Sequence, residues 1–178
     1  MGKLFGTDGI RGIANTELAP ELAFRVGRAA AYYFNQKSRG DKPKIYIGKD
    51  TRLSSKMLAA ALEAGICSSG GDVVRLGVVP TPAVAYLTRV HKAACGIAVT
   101  ASHNPFSDNG IKFFSSSGYK LSDQTEAELE ELILPETDTL PRPVGAAVGN
   151  IAQSYHLLKE YIHFIKSLAG TRFSQMKI

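Results

Sequence analysis

Short β-rich runs alternate with amphipathic segments of helical length along most of this 178-residue chain. The β-rich runs cover residues 44–48, 72–77 and 95–101, and the helical segments cover residues 21–34, 54–68, 81–91 and 122–134. Alternation of this kind is typical of a parallel sheet that carries helices on both faces. A further run, 110–116, follows an Asp-Asn-Gly turn signal, which predicts an antiparallel neighbour. The sequence therefore predicts an α/β fold, a three-layer α/β/α sandwich with a mixed, mostly parallel four-stranded sheet and one antiparallel strand.

The chain after this alternating region has a different composition. Residues 135–149 contain three prolines and are typical of a linker. Residues 155–168 form an amphipathic helical pattern, and residues 170–178 begin like a strand. One helix and part of a strand cannot bury a core of their own. We expect one domain over residues 1–149, with about 135–149 as linker, and the truncated start of a second domain over 150–178.

The charge balance excludes little by itself. The formal net charge is +5, but the cations are scattered and form neither a cluster nor a stripe with aromatic residues. Nucleic acid is therefore not an expected partner, whereas a phosphorylated small molecule suits the basic balance. No apolar run is long enough for a transmembrane helix, and the amino terminus lacks the apolar region of a signal peptide. We expect a cytoplasmic protein with no membrane partner.

The predicted parallel strands end in three polar segments, residues 49–52, 78–82 and 100–104. Ligands bind at the carboxyl ends of parallel strands in open α/β sheets, so these segments are expected to share a cleft. Ser102 would lie there beside His103, with Arg52 on a neighbouring strand end and Lys112 just beyond the turn. A serine becomes a nucleophile when a base or a cation activates it. The spacing equally allows a plain turn, because Asn and Pro favour turns.

A second candidate segment, GTDGIRG at residues 6–12, lies near the amino terminus. Its glycines allow the backbone to approach a ligand closely, and Arg11 could hold a phosphate through two hydrogen bonds. The alternative is a flexible leader. Neither the P-loop nor the dinucleotide-binding spacing is present, and no cluster of metal-ligating residues is visible in the sequence.

The segments GTDGIRG, GKDTR and TASHNPFSDNGIKFF together resemble the α-D-phosphohexomutase superfamily. The motif SHNPFSDNGIKFF is similar to that of the bacterial branch that acts on glucosamine phosphates. The resemblance to the superfamily covers residues 1 to about 149. It implies a four-domain enzyme that interconverts glucosamine 6-phosphate and glucosamine 1-phosphate. A phosphoserine in the Ser-His-Asn-Pro loop donates its phosphoryl group, and a bisphosphate intermediate returns the other phosphate to the serine.

The resemblance also implies roles for individual residues. Ser102 would be the phosphorylated residue and, through its phosphate, a ligand of Mg²⁺. His103 and Lys112 would be the candidates for the general base and for proton transfer or charge stabilisation. The positions implied to contact phosphate or substrate are Arg11, Arg52 and Asn104.

Family members hold Mg²⁺ with an aspartate loop in their second domain and bind the sugar with two further domains. This sequence contains none of these loops. We therefore expect neither turnover nor Mg²⁺ binding from these residues alone. A phosphosugar is the predicted substrate, and a homodimer of the full-length protein is left open. Two alternatives are also left open: a sister phosphoglucomutase or phosphomannomutase, and a phosphosugar-binding module without catalysis.

Overall fold

The computed structural model describes residues 4–38 and 40–169 and shows a six-stranded sheet with helices on both faces. The strands are β1 (Ile10–Ile13), β2 (Lys44–Lys49), β3 (Asp72–Val78), β4 (Cys95–Val99), β5 (Asp108–Ser115) and β6 (Ile151–Gln153). The helices are α1 (Pro20–Lys37), α2 (Leu53–Ser68), α3 (Thr81–Val90), α4 (Asp123–Ile133) and α5 (Leu157–Leu168). Among the described residues, no helix combines the length and the apolar character needed to cross a membrane.

The strand order is β1-β5-β4-β2-β3-β6. Strand β5 runs antiparallel to both of its neighbours, β1 and β4. Strand β2 pairs in parallel with β3 and β4, and β6 pairs in parallel with β3. The predicted α/β class, the mostly parallel sheet and the single antiparallel strand are confirmed.

The predicted count of four strands is wrong, because the described residues form six. The two additional strands are β1, which has four residues, and β6, which has three. Strands this short show no readable alternation of apolar and polar residues. Strand β1 lies partly inside the glycine-rich segment that the sequence assigned to ligand binding, and it pairs with β5.

The side chains of β2 divide between two cores, one on each face of the sheet. Ile45 and Ile47 pack in a core with residues of α1, α2 and α4, whereas Tyr46 packs in a second core with residues of α3 and α5. Successive side chains of a strand point to opposite faces, so each face needs its own helical cover. The three-layer α/β/α arrangement is therefore confirmed.

The predicted linker lies against the sheet and helices. The fully buried Arg28 of α1 pairs with Asp138 and donates to the Leu140 carbonyl, and Lys42 donates to the carbonyls of Ala146 and Val148. Strand β6 then joins the same sheet as β1 to β5. The predicted domain boundary near residue 149 stays a prediction, and the strand start predicted at 170–178 lies outside the described residues.

Candidate functional site

The carboxyl ends of β2, β3 and β4 meet at one edge of the sheet, as the sequence predicted. The Asp50 N–H donates to the Val99 carbonyl and the Val79 N–H to the Lys49 carbonyl, each at 3.1 Å. The chain leaves β4 at this edge and reaches β5 through residues 100–107, which we name the Ser102 loop. All three predicted catalytic residues lie on this loop or on β5.

Ser102 adopts an unusual backbone conformation, with φ at 59°. This left-handed conformation costs a non-glycine residue about 1 kcal/mol or more of strain energy. Residues with such strained backbones cluster at functional sites. Its N–H donates to Thr100 Oγ1 at 3.0 Å, and its side chain is exposed. Within the part of the chain that the structure describes, nothing hydrogen-bonds the Ser102 hydroxyl. The loop therefore presents this hydroxyl to solvent at the edge of the sheet where β2, β3 and β4 end.

His103 and Asn104 follow Ser102 but are placed differently from each other. His103 is exposed, and within residues 4–38 and 40–169 it makes no hydrogen bond to Ser102. Asn104 is partly buried; its Oδ1 accepts from Arg11 Nη1 at 3.2 Å and its Nδ2 donates to Asp108 Oδ2 at 3.0 Å. Asn104 thus connects the glycine-rich segment to the Ser102 loop.

All of the side-chain donors of Arg52 hydrogen-bond acceptors within the protein. Its Nε donates to Asp50 Oδ2 at 3.0 Å. Its two terminal nitrogens donate to four carbonyls at the Ser102 loop and the start of β5: those of Ser102, Asn104, Pro105 and Asp108. A guanidinium has five N–H donors, so none is left for a ligand in this arrangement. The geometry therefore indicates that Arg52 holds the Ser102 loop in place. It does not support the predicted contact between Arg52 and a phosphoryl group.

Asp50 completes this arrangement from the end of β2. Burial alone would raise the pKa of Asp50, but hydrogen bonds from the Ser55 hydroxyl, the Arg52 N–H, Thr100 and the Arg52 guanidinium lower it. The net result is a pKa below the ordinary value of 3.8. The carboxylate is therefore charged near neutral pH and fixes the guanidinium in place. We name Asp50, Arg52 and Ser55 the Arg52 anchor.

The start of β5 is attached to α2 through a buried amide that the sequence did not reveal. Asn109 is fully buried, and its Nδ2 donates to the hydroxyls of Ser54 and Ser55 at 2.8 and 2.9 Å. Its Oδ1 accepts from the Gly110 N–H at 2.8 Å. The predicted Asp-Asn-Gly turn is wrong, because these residues begin β5. A residue type that favours turns serves here as a buried connection between a strand and a helix.

Arg11 reaches the site because β1 pairs with β5 and places it opposite Gly110. A Cβ at Gly110 would lie 2.8 Å from the Thr100 carbonyl oxygen and 3.1 Å from Arg11 Cγ. Only glycine therefore fits between β1 and the Ser102 loop at this register. Besides its bond to Asn104, Arg11 donates through Nη2 to Asp8 Oδ2 at 2.7 Å.

Lys112 of β5 is half-buried and approaches the same carboxylate. Its Nζ lies 4.0 Å from Asp8 Oδ2, and its side chain is 18% exposed. Asp8 itself is 60% exposed. We name Asp8, Arg11 and Lys112 the Asp8 cluster. The sequence identified its two cations and missed its anion, whose only signal was its position three residues before Arg11.

The described residues do not form a metal site by themselves. Among them, no group of three or more His, Cys, Asp or Glu side chains is placed to hold a metal ion. Mg²⁺ prefers an octahedral set of oxygen ligands, and the Ser102 hydroxyl supplies one neutral oxygen. Any Mg²⁺ at this edge would need a phosphoryl group on Ser102 and ligands beyond these residues.

A comparison with protein-family models matches residues 2–139 to phosphoglucomutase/phosphomannomutase, alpha/beta/alpha domain I. Proteins named phosphoglucosamine mutase are similar over nearly the whole chain. The one from Syntrophomonas wolfei is 54% identical over 94% of this chain, and the one from Moorella thermoacetica is 53% identical over 100%. The chain spans 37% and 40% of the length of these two relatives.

A solved structure shares the fold. A phosphoglucomutase/phosphomannomutase family protein from Burkholderia thailandensis superposes with a TM-score of 0.76 at 26% sequence identity. The match covers 92% of this chain and 35% of that protein. The sheet edge that carries the Ser102 loop thus belongs to a fold shared across sequences that have diverged widely.

Proposed function

The chain belongs to the phosphoglucomutase/phosphomannomutase family, and on that premise we propose that it carries the phosphoserine loop of a phosphoglucosamine mutase. The reaction is the interconversion of glucosamine 6-phosphate and glucosamine 1-phosphate, a step toward amino-sugar precursors of the cell wall. Relatives at 50–54% identity that bear this enzyme's name support the choice of sugar. The observation that carries the proposal is Ser102, held at φ 59° with an exposed side chain by a loop whose carbonyls are fixed by Arg52.

Phosphoryl transfer from Ser102 requires little covalent chemistry from the protein. The bond between phosphorus and Ser102 Oγ breaks, a bond between phosphorus and a sugar hydroxyl oxygen forms, and the hydroxyl proton passes to a base. The sugar then carries two phosphates, and transfer of the other one back to Ser102 leaves the isomeric monophosphate. Catalysis of such a step depends on fixed positive charge around the phosphoryl oxygens.

The cations near Ser102 are suited to that task. Arg11 and Lys112 are partly exposed, with 25% and 18% of their side chains accessible, so phosphoryl oxygens can reach them. The base is His103 or Lys112; His103 is exposed beside Ser102, and Lys112 lies on the adjoining strand. Asn104 contacts substrate or phosphate through the amide group that now connects Arg11 to Asp108.

The proposal includes Mg²⁺, a phosphosugar substrate and a cytoplasmic location. Mg²⁺ would neutralise charge on the phosphoryl group, with an oxygen of phosphorylated Ser102 as one ligand and the others from outside the described residues. The domain division near residue 149 and a homodimer of the full-length protein belong to the same proposal. Residues 1–149 would form the first domain, and residues 150–178 the beginning of the second.

The experiment is a turnover assay on the natural protein with glucosamine 6-phosphate, followed by ³¹P NMR. We expect glucosamine 1-phosphate to form and the Ser102→Ala variant to form none above background. Ser102→Ala is expected to fold as the unmodified protein does, because the hydroxyl makes no hydrogen bond with the described residues. Full activity of Ser102→Ala would overturn the proposal. Faster turnover of glucose 6-phosphate than of the amino sugar would instead favour a sister mutase.

A further inference from the structure

We propose that Asp8 is an internal counter-ion that occupies Arg11 and Lys112 in the empty site and competes with phosphoryl oxygens for them. The inference rests on the proposed function, because it takes a phosphoryl group as the ligand. It assigns a positioning role to Asp8, for which the sequence patterns predicted none. Asp8 sets how tightly this edge of the sheet holds a phosphate.

The contacts of Asp8 are those of a shared anion. One oxygen, Oδ2, lies 2.7 Å from Arg11 Nη2 and 4.0 Å from Lys112 Nζ. Opposite charges at these separations attract, and a single carboxylate therefore offsets part of the field of both cations. A phosphoryl group that approaches either cation is repelled by this carboxylate, because both carry negative charge.

The carboxylate can also be released at low cost. Asp8 is 60% exposed, so its oxygens regain water when they leave the cations. Ion pairs with this exposure contribute little net stability. By contrast, Asp50 in the Arg52 anchor is only 26% exposed and is held by several hydrogen bonds. Of the two carboxylates paired with arginine at this edge, Asp8 is the one that a ligand can displace.

Arg11 retains hydrogen-bonding capacity in the empty site. Its Nη1 donates to Asn104 and its Nη2 to Asp8, while its Nε is buried and has no partner among the described residues. A buried donor without a partner is costly, so an acceptor oxygen that reached this Nε would stabilise Arg11. A tetrahedral phosphoryl group offers more acceptor oxygens than Asp8 Oδ2 alone and is suited to bidentate contact with a guanidinium.

The test is a titration of the 178-residue chain with inorganic phosphate at low ionic strength, followed by NMR shifts of the Gly110 amide and the Arg11 side chain. Asp8→Asn keeps an oxygen for Arg11 but removes the charge. We expect this variant to bind phosphate about threefold to fivefold more tightly than the unmodified chain. Asp8→Glu restores the charge, and its affinity is expected to return toward that of the unmodified chain.

The control for net charge is Asp41→Asn. Asp41 is exposed and precedes β2, so it lies beyond the opposite end of that strand from the Ser102 loop. This variant is expected to bind phosphate as the unmodified chain does. An Asp8→Asn affinity that is unchanged or weaker would overturn the counter-ion role. An equal gain from Asp41→Asn would overturn it too, because the effect would then reflect total charge.

The two proposals fail in different ways. If Asp8→Asn leaves phosphate affinity unchanged while Ser102 is phosphorylated in the natural protein, the counter-ion role is wrong and the mutase assignment stands. If Ser102 is never phosphorylated and yet Asp8→Asn tightens phosphate binding, the mutase assignment is wrong and Asp8 still controls an anion site.

Discussion

Arg52 and Arg11 both hydrogen-bond the Ser102 loop, but they are used in opposite ways. Arg52 is 13% exposed and donates to one carboxylate and four carbonyls. Arg11 is 25% exposed, donates to one amide and one exposed carboxylate, and keeps a buried Nε without a partner in the described chain. The first arginine therefore fixes the backbone that presents Ser102, and the second is available to a ligand.

The two arginines at this sheet edge therefore differ in what they can do: one holds the Ser102 loop in place, and the other has donors that could change partners. A strained residue such as Ser102 stays in place only when the surrounding contacts hold it there. A group that binds a passing phosphate must instead have donors that can change partners. The Arg52 anchor meets the first requirement, and we propose that the Asp8 cluster meets the second.

The largest expected effect is from Arg52→Ala. The loop carbonyls and the Asp50 carboxylate would lose their common donor, and we expect the free energy of unfolding to fall by about 2–3 kcal/mol. Urea unfolding measures this change. Arg52→Lys is the matched control and should recover only part of the loss, because an ammonium cannot reproduce the planar fork. A decrease in the free energy of unfolding of less than about 0.5 kcal/mol for Arg52→Ala would mean that the Ser102 loop keeps its conformation without Arg52.

The second effect concerns acid stability. Because the pKa of Asp50 is lowered in the fold, its contribution is present above the ordinary value of 3.8 and is lost as pH falls through the folded value. Asp50→Asn should therefore be less stable than the unmodified chain at neutral pH, with the difference closing below about pH 4. Urea unfolding across that range measures it. A difference that is constant with pH would contradict the charged role of Asp50.

Arg11→Ala should change stability far less than Arg52→Ala, by less than about 1 kcal/mol, since its ion pair with Asp8 is exposed. Its effect is expected on binding instead, with a loss of phosphate affinity of about tenfold. Urea unfolding and phosphate titration on the same sample separate the two effects. Equal losses of stability in Arg11→Ala and Arg52→Ala would contradict the distinction between the Arg52 anchor and the Asp8 cluster, because both arginines would then stabilise the fold.

The smallest expected effect on the fold is that of Ser102→Gly. Glycine adopts positive φ without strain but adds freedom to the unfolded chain, so the two contributions nearly cancel. We expect the free energy of unfolding to stay within about 1 kcal/mol of the unmodified chain. Thermal unfolding measures this, with Ser102→Ala as the control that keeps the strain. A large destabilisation by glycine would show that the Ser102 side chain supports the loop.

Much of the sheet and one edge of the site follow from sequence patterns. Strands of five to seven residues between helices predict β2, β3 and β4, and the strand-end rule places Arg52 near Ser102. Strand β1 escaped prediction because four residues carry no alternation, and its position depends on pairing with β5. The approach of Asp8 to Lys112 depends on that same pairing, and so could not be found from spacing alone.

Other features escaped because one residue type serves several purposes. Asn109 carries a turn signature, and its burial against Ser54 and Ser55 becomes visible only when β5 is packed beside α2. Arg52 after a strand end suggests a ligand contact, and only the folded loop shows that its donors are taken. Sequence patterns identified the residues at this edge but could not say which of them have their donors taken by the protein and which stay accessible to solvent.

The central claim is that the Ser102 hydroxyl, fixed by the Arg52 anchor, carries the phosphoryl group. Its most direct test is intact-mass analysis with phosphosite mapping of the natural protein, after incubation with the bisphosphate of glucosamine. We expect a single phosphoryl group on Ser102, absent from Ser102→Ala and strongly reduced in Arg52→Ala. A phosphoryl group on another residue, or none on Ser102 under any condition, would contradict it.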